Sequence, residues 1–206
     1  MGDREDWYRS AEWNDAIEAA FRARLKRARR KEQYLRIQAS YLSKRYPDIA
    51  LRLLDEYFSM PDKFDNAVAH QQRAEALLLL GRRDEALEAY EAALRRETEF
   101  PQLRSHTYLD YPYLVAVDRI KMLYERVLEI LDARKGELMF PVDHFMWHAA
   151  RALIFSDQGS QSEAREEALA AIIVADVEHS GFRYHPAIGL VGDRYKETLK
   201  RLKGLH

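Results

Sequence analysis

The residues best suited to chemistry are two histidines, His144 and His148, four apart in a stretch with helical periodicity. That spacing puts two imidazoles on one helix face, where they can share a metal ion. The zinc-protease pattern needs Glu directly after the first histidine, and Phe145 stands there instead. A third ligand would have to come from far along the chain, from His179 or His185. Gly181, Gly189 and Gly192 have the wrong spacing for a phosphate or dinucleotide loop, and no strand precedes them. Ser, His and Asp occur together in the tail, but co-occurrence in sequence does not make a triad. The absence of cysteine removes thiolate catalysis, disulfides and cysteine metal sites together. The expectation is a protein that is not an enzyme and uses neither cofactor nor metal.

A second kind of chemistry is electrostatic. Residues 13–30 read as a helix capped by Asn14 or Asp15, with Ile17, Phe21, Leu25 and Ala28 on one face. Arg22, Lys26, Arg29 and Arg30 lie on the rest of it and form the sharpest local charge feature. This patch suits an acidic partner or RNA; the plainer reading is a solvated outer face at the end of a helical array. Over the whole chain, 33 Lys and Arg balance 34 Asp and Glu, so no global field draws it to nucleic acid or anionic lipid. Hydrophobic residues at 47% with charged residues at 33% fit a folded, helix-rich protein. The charged start, Met1 to Asp6, reads as neither a secretory nor a myristoylation signal, and no apolar run reaches membrane-spanning length. The expected location is the cytoplasm, with no membrane partner.

The elements that must position these residues centre on residues 67–100. Ala74, Leu77, Leu78 and Leu80 recur at helical spacing before Gly81, and Ala86, Leu87, Tyr90, Ala93 and Leu94 after it. Gly81 stops the first helix in the left-handed conformation, Asp84 is placed to cap the second, and the short turn forces an antiparallel pair. Gly81, Ala86, Tyr90 and Ala93 fall at the spacing of the tetratricopeptide repeat, and this stretch resembles one 34-residue unit of that family. It departs from the pattern at Ala74, where the family has Gly, at His70, where it often has Trp, and at Thr98, where it often has Pro.

Residues 33–58 look like a degenerate copy, with Tyr46-Pro47-Asp48 as the turn, Ala50 in the place of Ala86, and Met60-Pro61-Asp62 ending the unit. A break near Arg30 separates this copy from the basic helix, the alternative being one continuous helix up to Tyr46. Residues 112–134 read as one long helix opened by Pro112, with Leu114, Val117, Ile120, Tyr124, Val127 and Leu131 on one side. Tyr108, Tyr111 and Tyr113 cluster just before it. Residues 143–177 return to the repeat: Ala152, Gly159, Ala164, Ala168 and Ala171 follow Ala74, Gly81, Ala86, Tyr90 and Ala93 at a constant distance of 78 residues. A loop then leads to residues 193–204, a capping helix started by Asp193, with Tyr195, Leu199 and Leu202 on its inner side. The loop segment FRYHPAIGLVG, residues 182–192, resembles uncharacterised bacterial tetratricopeptide proteins.

The resemblance implies an all-α, single-domain, right-handed superhelix of helical hairpins, irregular at its long central helix. It also implies a groove lined by the first helices of successive hairpins, holding a peptide or partner protein. On residues 33–58 the groove positions would be Arg36, Ser40 and Ser43; on residues 67–100, Gln71, Glu75 and Leu78; on residues 143–177, Ala149, Leu153 and Ser156. Members that clamp a C-terminal carboxylate use Lys, Arg and Asn there. Only Arg36 fits that pattern, and Glu75 would repel a carboxylate, so the expected ligand is mixed or basic in character. The function implied is a bacterial protein-interaction adaptor. The alternatives are RNA binding through the basic helix, and an immunity or antitoxin protein that blocks a toxin.

Overall fold

Asn14 opens the first helix of a chain that, in a computed structural model describing residues 6–61 and 65–205, contains ten α-helices and no strand among those residues. Met1–Glu5 of the charged start, and Asp62 of the turn expected after residue 58, lie outside the described residues. The chain divides into two compact units, one up to Thr107 and one from Tyr108.

In the first unit, α1 (Asp15–Arg27) begins where the Asn14 side chain accepts the Ile17 N–H at 3.0 Å. It buries Phe21 and Leu25 and stops at Ala28, whose extended backbone turns the chain. The break expected near Arg30 is therefore present. The helix α2 (Lys31–Leu42) buries Leu35, Gln38, Ala39 and Leu42, and α3 (Pro47–Ser59) opens on a proline whose missing N–H costs nothing at that position. Asp65 ties this pair to the next. It accepts the Tyr57 hydroxyl at 2.8 Å and pairs with Arg36 of α2. Burial and then the Asp65 carboxylate push the Tyr57 phenol well above its ordinary value, so it stays a donor.

The helices α4 (Asn66–Leu79) and α5 (Arg83–Glu99) form the central hairpin. Gly81 has φ +73, with its N–H on Leu78 O and the Arg82 N–H on Leu77 O, a closure that uses two of the last carbonyls of α4. Asp84 does not cap α5. It is the second residue of the helix, which starts without any side-chain cap. Glu97, buried near the end of α5, accepts the Ser105 N–H at 2.7 Å and the Ser105 hydroxyl at 2.5 Å, fastening the connector back onto the hairpin.

The second unit departs from the expected long helix. The helix α6 (Thr107–Val117) starts five residues before Pro112, so Tyr108, Tyr111 and Tyr113 lie inside it, with Tyr108 and Tyr111 buried. Two residues past its end, Arg119 takes the left-handed conformation (φ 56) while the Ile120 N–H reaches Val115 O. A 3-10 turn at Lys121–Leu123 then leads into α7 (Tyr124–Ala133). Asp157 steadies this break by accepting the Tyr124 hydroxyl at 2.7 Å, with Arg119 3.5 Å away.

The helices α8 (Pro141–Gln158) and α9 (Gln161–Ala175) repeat the central hairpin in detail. Gly159 has φ +87, its N–H is on Ser156 O and the Ser160 N–H is on Phe155 O, each atom 78 residues beyond its counterpart at Gly81. Ala152, Ala164, Ala168 and Ala171 are buried, as are Ala74, Ala86, Tyr90 and Ala93. The small side chains allow close helix approach in both pairs. The buried Asp143 carboxylate receives the Met139 and Phe140 N–H groups at 3.1 and 3.0 Å, which holds the entry to α8. Asp193 belongs to a 3-10 turn and pairs with Lys196 at 2.9 Å rather than capping α10 (Lys196–Lys203). That helix buries Thr198 and Leu202 and donates from Arg201 to the terminal carbonyl of α6, Val117 O, at 3.0 Å.

Candidate partner-binding face

Two chain reversals separate α2 from α4, so these first helices of successive hairpins run in the same direction. Their polar residues are already engaged. Arg36 is held by Asp65. Gln71 donates to Glu75 at 2.9 Å and accepts the His106 N–H at 3.1 Å, so the connector crosses α4 at this point. Ser40 is exposed, and its carbonyl accepts the Ser43 hydroxyl at 3.0 Å. Leu78 is partly exposed. Beyond it the C-terminal ends of both helices leave large apolar groups in water: Tyr41 is 48% exposed, Leu79 57% and Leu80 40%. The hairpin periodicity placed Leu80 with the inner residues and did not mark Leu79 or Tyr41 as outer ones. Leu79 is the last residue of α4 and Leu80 its cap, so both stand at the end of the hairpin next to the Gly81 turn.

In the second unit Ala149 and Leu153 are buried and present no surface, which corrects the expectation that they line an open groove. Ser156 stays partly exposed. His144 is exposed, whereas His148 places Nδ1 2.6 Å from a Glu167 carboxylate oxygen on α9. Arg151 donates to the other Glu167 oxygen at 2.7 Å and to Asp132 of α7 at 2.5 Å, while its guanidinium covers the Trp147 ring at 4.4 Å. Burial pushes the Glu167 carboxyl up, but the hydrogen bonds from His148 and Arg151 outweigh it and hold the group below its ordinary value. This network joins α7, α8 and α9. The two histidines whose spacing could hold a metal are thus split, with His148 turned to a carboxylate. Among the described residues no three His, Asp or Glu side chains come together as metal ligands.

The basic patch divides in the same way. Arg22 is bound to Glu56 of α3 and lies 3.5 Å from Glu18, while Lys26, Arg29 and Arg30 are exposed and make no ion pair among the described residues. None of the helices is long and apolar enough to cross a membrane, among the described residues. Comparisons with protein-family models, curated proteins and solved structures find no match to this chain.

Proposed function

We propose that the chain is a non-catalytic protein-interaction module of tetratricopeptide-like hairpins, and that its first unit holds the partner. The observation that carries this reading is the exposed apolar end of α2 and α4, where Tyr41, Leu79 and Leu80 stand in water beside Ser40. Single exposed apolar residues are ordinary, but several at one end of two adjacent parallel helices are the usual footprint of a docking surface. The atom-for-atom recurrence of the Gly81 closure at Gly159 supports a repeat architecture, whose characteristic use is an extended binding surface. Arg36 is already paired with Asp65 and is not free to hold an acidic tail, which favours an amphipathic helix or peptide over such a tail.

The test compares partner capture by wild type and by Leu79→Ser/Leu80→Ser. Both positions are exposed, so thermal unfolding should change by less than about 0.5 kcal/mol. Capture should fall at least tenfold. Equal capture by a folded variant rejects this face.

A further inference from the structure

The N-terminal side of the first unit carries a second surface with different chemistry. Lys26, Arg27, Arg29, Arg30 and Lys31 occupy five of the six positions 26–31, around the turn between α1 and α2. All five are exposed, and none makes an ion pair among the described residues. In a chain of net charge −1 this is a concentrated local positive field. The nearby carboxylates are already paired with other cations: Asp6 with Arg9, Glu12 with Arg45, and Glu18 with Arg22 at 3.5 Å. Glu32 lies on the α2 flank of Arg36, away from the flank that carries Tyr34 and Tyr41.

One helical turn beyond Arg30 that flank becomes aromatic. Tyr34 packs against Trp7 and Tyr8 with ring centroids 4.8 and 4.6 Å away, and Tyr41 follows two turns on. The rings are placed by a buried polar device. Gln38, fully buried, accepts the Ser10 N–H at 3.2 Å and donates to Ser10 O at 2.7 Å, pinning the segment of Trp7 and Tyr8 onto α2. Trp7, Tyr8 and Tyr34 remain partly exposed despite this packing, and Arg9 stands 5.2 Å over the Tyr8 ring.

Unpaired cations that track a phosphate chain, next to rings on which bases can stack, are the two components of single-stranded nucleic-acid recognition. We infer that the Lys26–Lys31 turn and the Trp7, Tyr8, Tyr34 and Tyr41 flank form a binding site for single-stranded nucleic acid, which meets the proposed partner face at Tyr41 and runs from there toward the N-terminal end of α2. An anionic lipid surface would also draw on the cations, and membrane interfaces accept Trp and Tyr rings, so vesicles enter the test as the competing ligand. A duplex would keep its bases stacked away from the rings.

The experiment is fluorescence anisotropy of the full chain with a labelled oligouridylate of about twelve nucleotides, a length within the usual range for such sites. Five phosphate contacts predict a log–log salt slope of about −3.5, or roughly a hundredfold weakening between 50 and 200 mM salt. Arg29→Ala/Arg30→Ala/Lys31→Ala should reduce the slope to about −1.5. Tyr41→Ala, at an exposed position, should weaken binding about tenfold with the slope unchanged. The proposal is overturned if the oligonucleotide does not bind at 50 mM salt, or if a duplex of equal length binds at least as tightly. It is equally overturned if Tyr41→Ala is silent, or if phosphatidylserine vesicles bind and the oligonucleotide does not.

Discussion

Lowering the pH from 7 to 5 should destabilise this protein through one residue, His70. Its ring stacks on Phe58 with centroids 4.4 Å apart, inside the contact between α3 and α4. Burial, and then the charges of Arg73, Arg95 and Arg96, lower its pKa from 6.5 to about 4. The folded protein therefore resists protonating a ring that the unfolded chain protonates near pH 6.5. The stabilisation is fully present above that pH, declines as the pH falls, and is exhausted below about pH 4. Full use of the difference would amount to about 3 kcal/mol, of which about 2 kcal/mol is lost by pH 5. The ring keeps some contact with water, and solvent screening reduces the expected loss at pH 5 to about 1 kcal/mol. The assay is urea unfolding of wild type and His70→Phe, which keeps an aromatic ring on Phe58 but cannot titrate. The stability difference between the two should move by about 1 kcal/mol in favour of the variant between pH 7 and pH 5. Parallel curves over that range would refute the burial argument.

The other predictions concern backbone and buried polar groups. Gly81→Ala and Gly159→Ala should each cost about 1 kcal/mol in thermal unfolding, because both glycines have positive φ, whereas Gly136→Ala should be near neutral. Arg119→Gly should stabilise by about 0.5 kcal/mol, since it relieves a left-handed arginine at the loss of a long ion pair, and a destabilised variant would place more weight on Asp157. Glu97→Ala should cost about 2 kcal/mol by leaving the Ser105 donors without their buried acceptor, and hydrogen exchange at the Ser105 amide should accelerate. Glu167→Gln and Arg151→Ala should be non-additive by about 1 kcal/mol in a double-mutant cycle, because they share one hydrogen bond across α8 and α9.

The two hairpins at Gly81 and Gly159 were legible because their signal is local: a glycine where φ must be positive, and alanines where two helices meet closely. The break after α1 was less legible, since no glycine or proline stands between Leu25 and Tyr34 and one continuous helix was the alternative. The interruption at Arg119 was not legible. Leu114, Val117, Ile120 and Tyr124 keep helical spacing straight across it, and an arginine in the left-handed region carries no mark in the sequence. Asp84 and Asp193 have the chemistry of caps, yet both helices start without a side-chain cap, so residue type alone misplaced them. The candidate site was half legible. Arg36, Gln71 and Glu75 sit on the first helices as expected, but whether they are engaged depends on Asp65 and His106, which approach from other segments. The burial of Ala149 and Leu153 is likewise a tertiary fact that spacing does not carry.

The central claim is that the ends of α2 and α4 hold a partner protein. Its most direct test is in-cell photo-crosslinking with a benzophenone amino acid placed in turn at Ser40 and Leu79, and at the exposed Glu88 and Arg95 of α5 as controls. One crosslinked protein should be shared by Ser40 and Leu79 and absent from both controls. Crosslinks at Glu88 or Arg95 with none at Ser40 and Leu79 would contradict it.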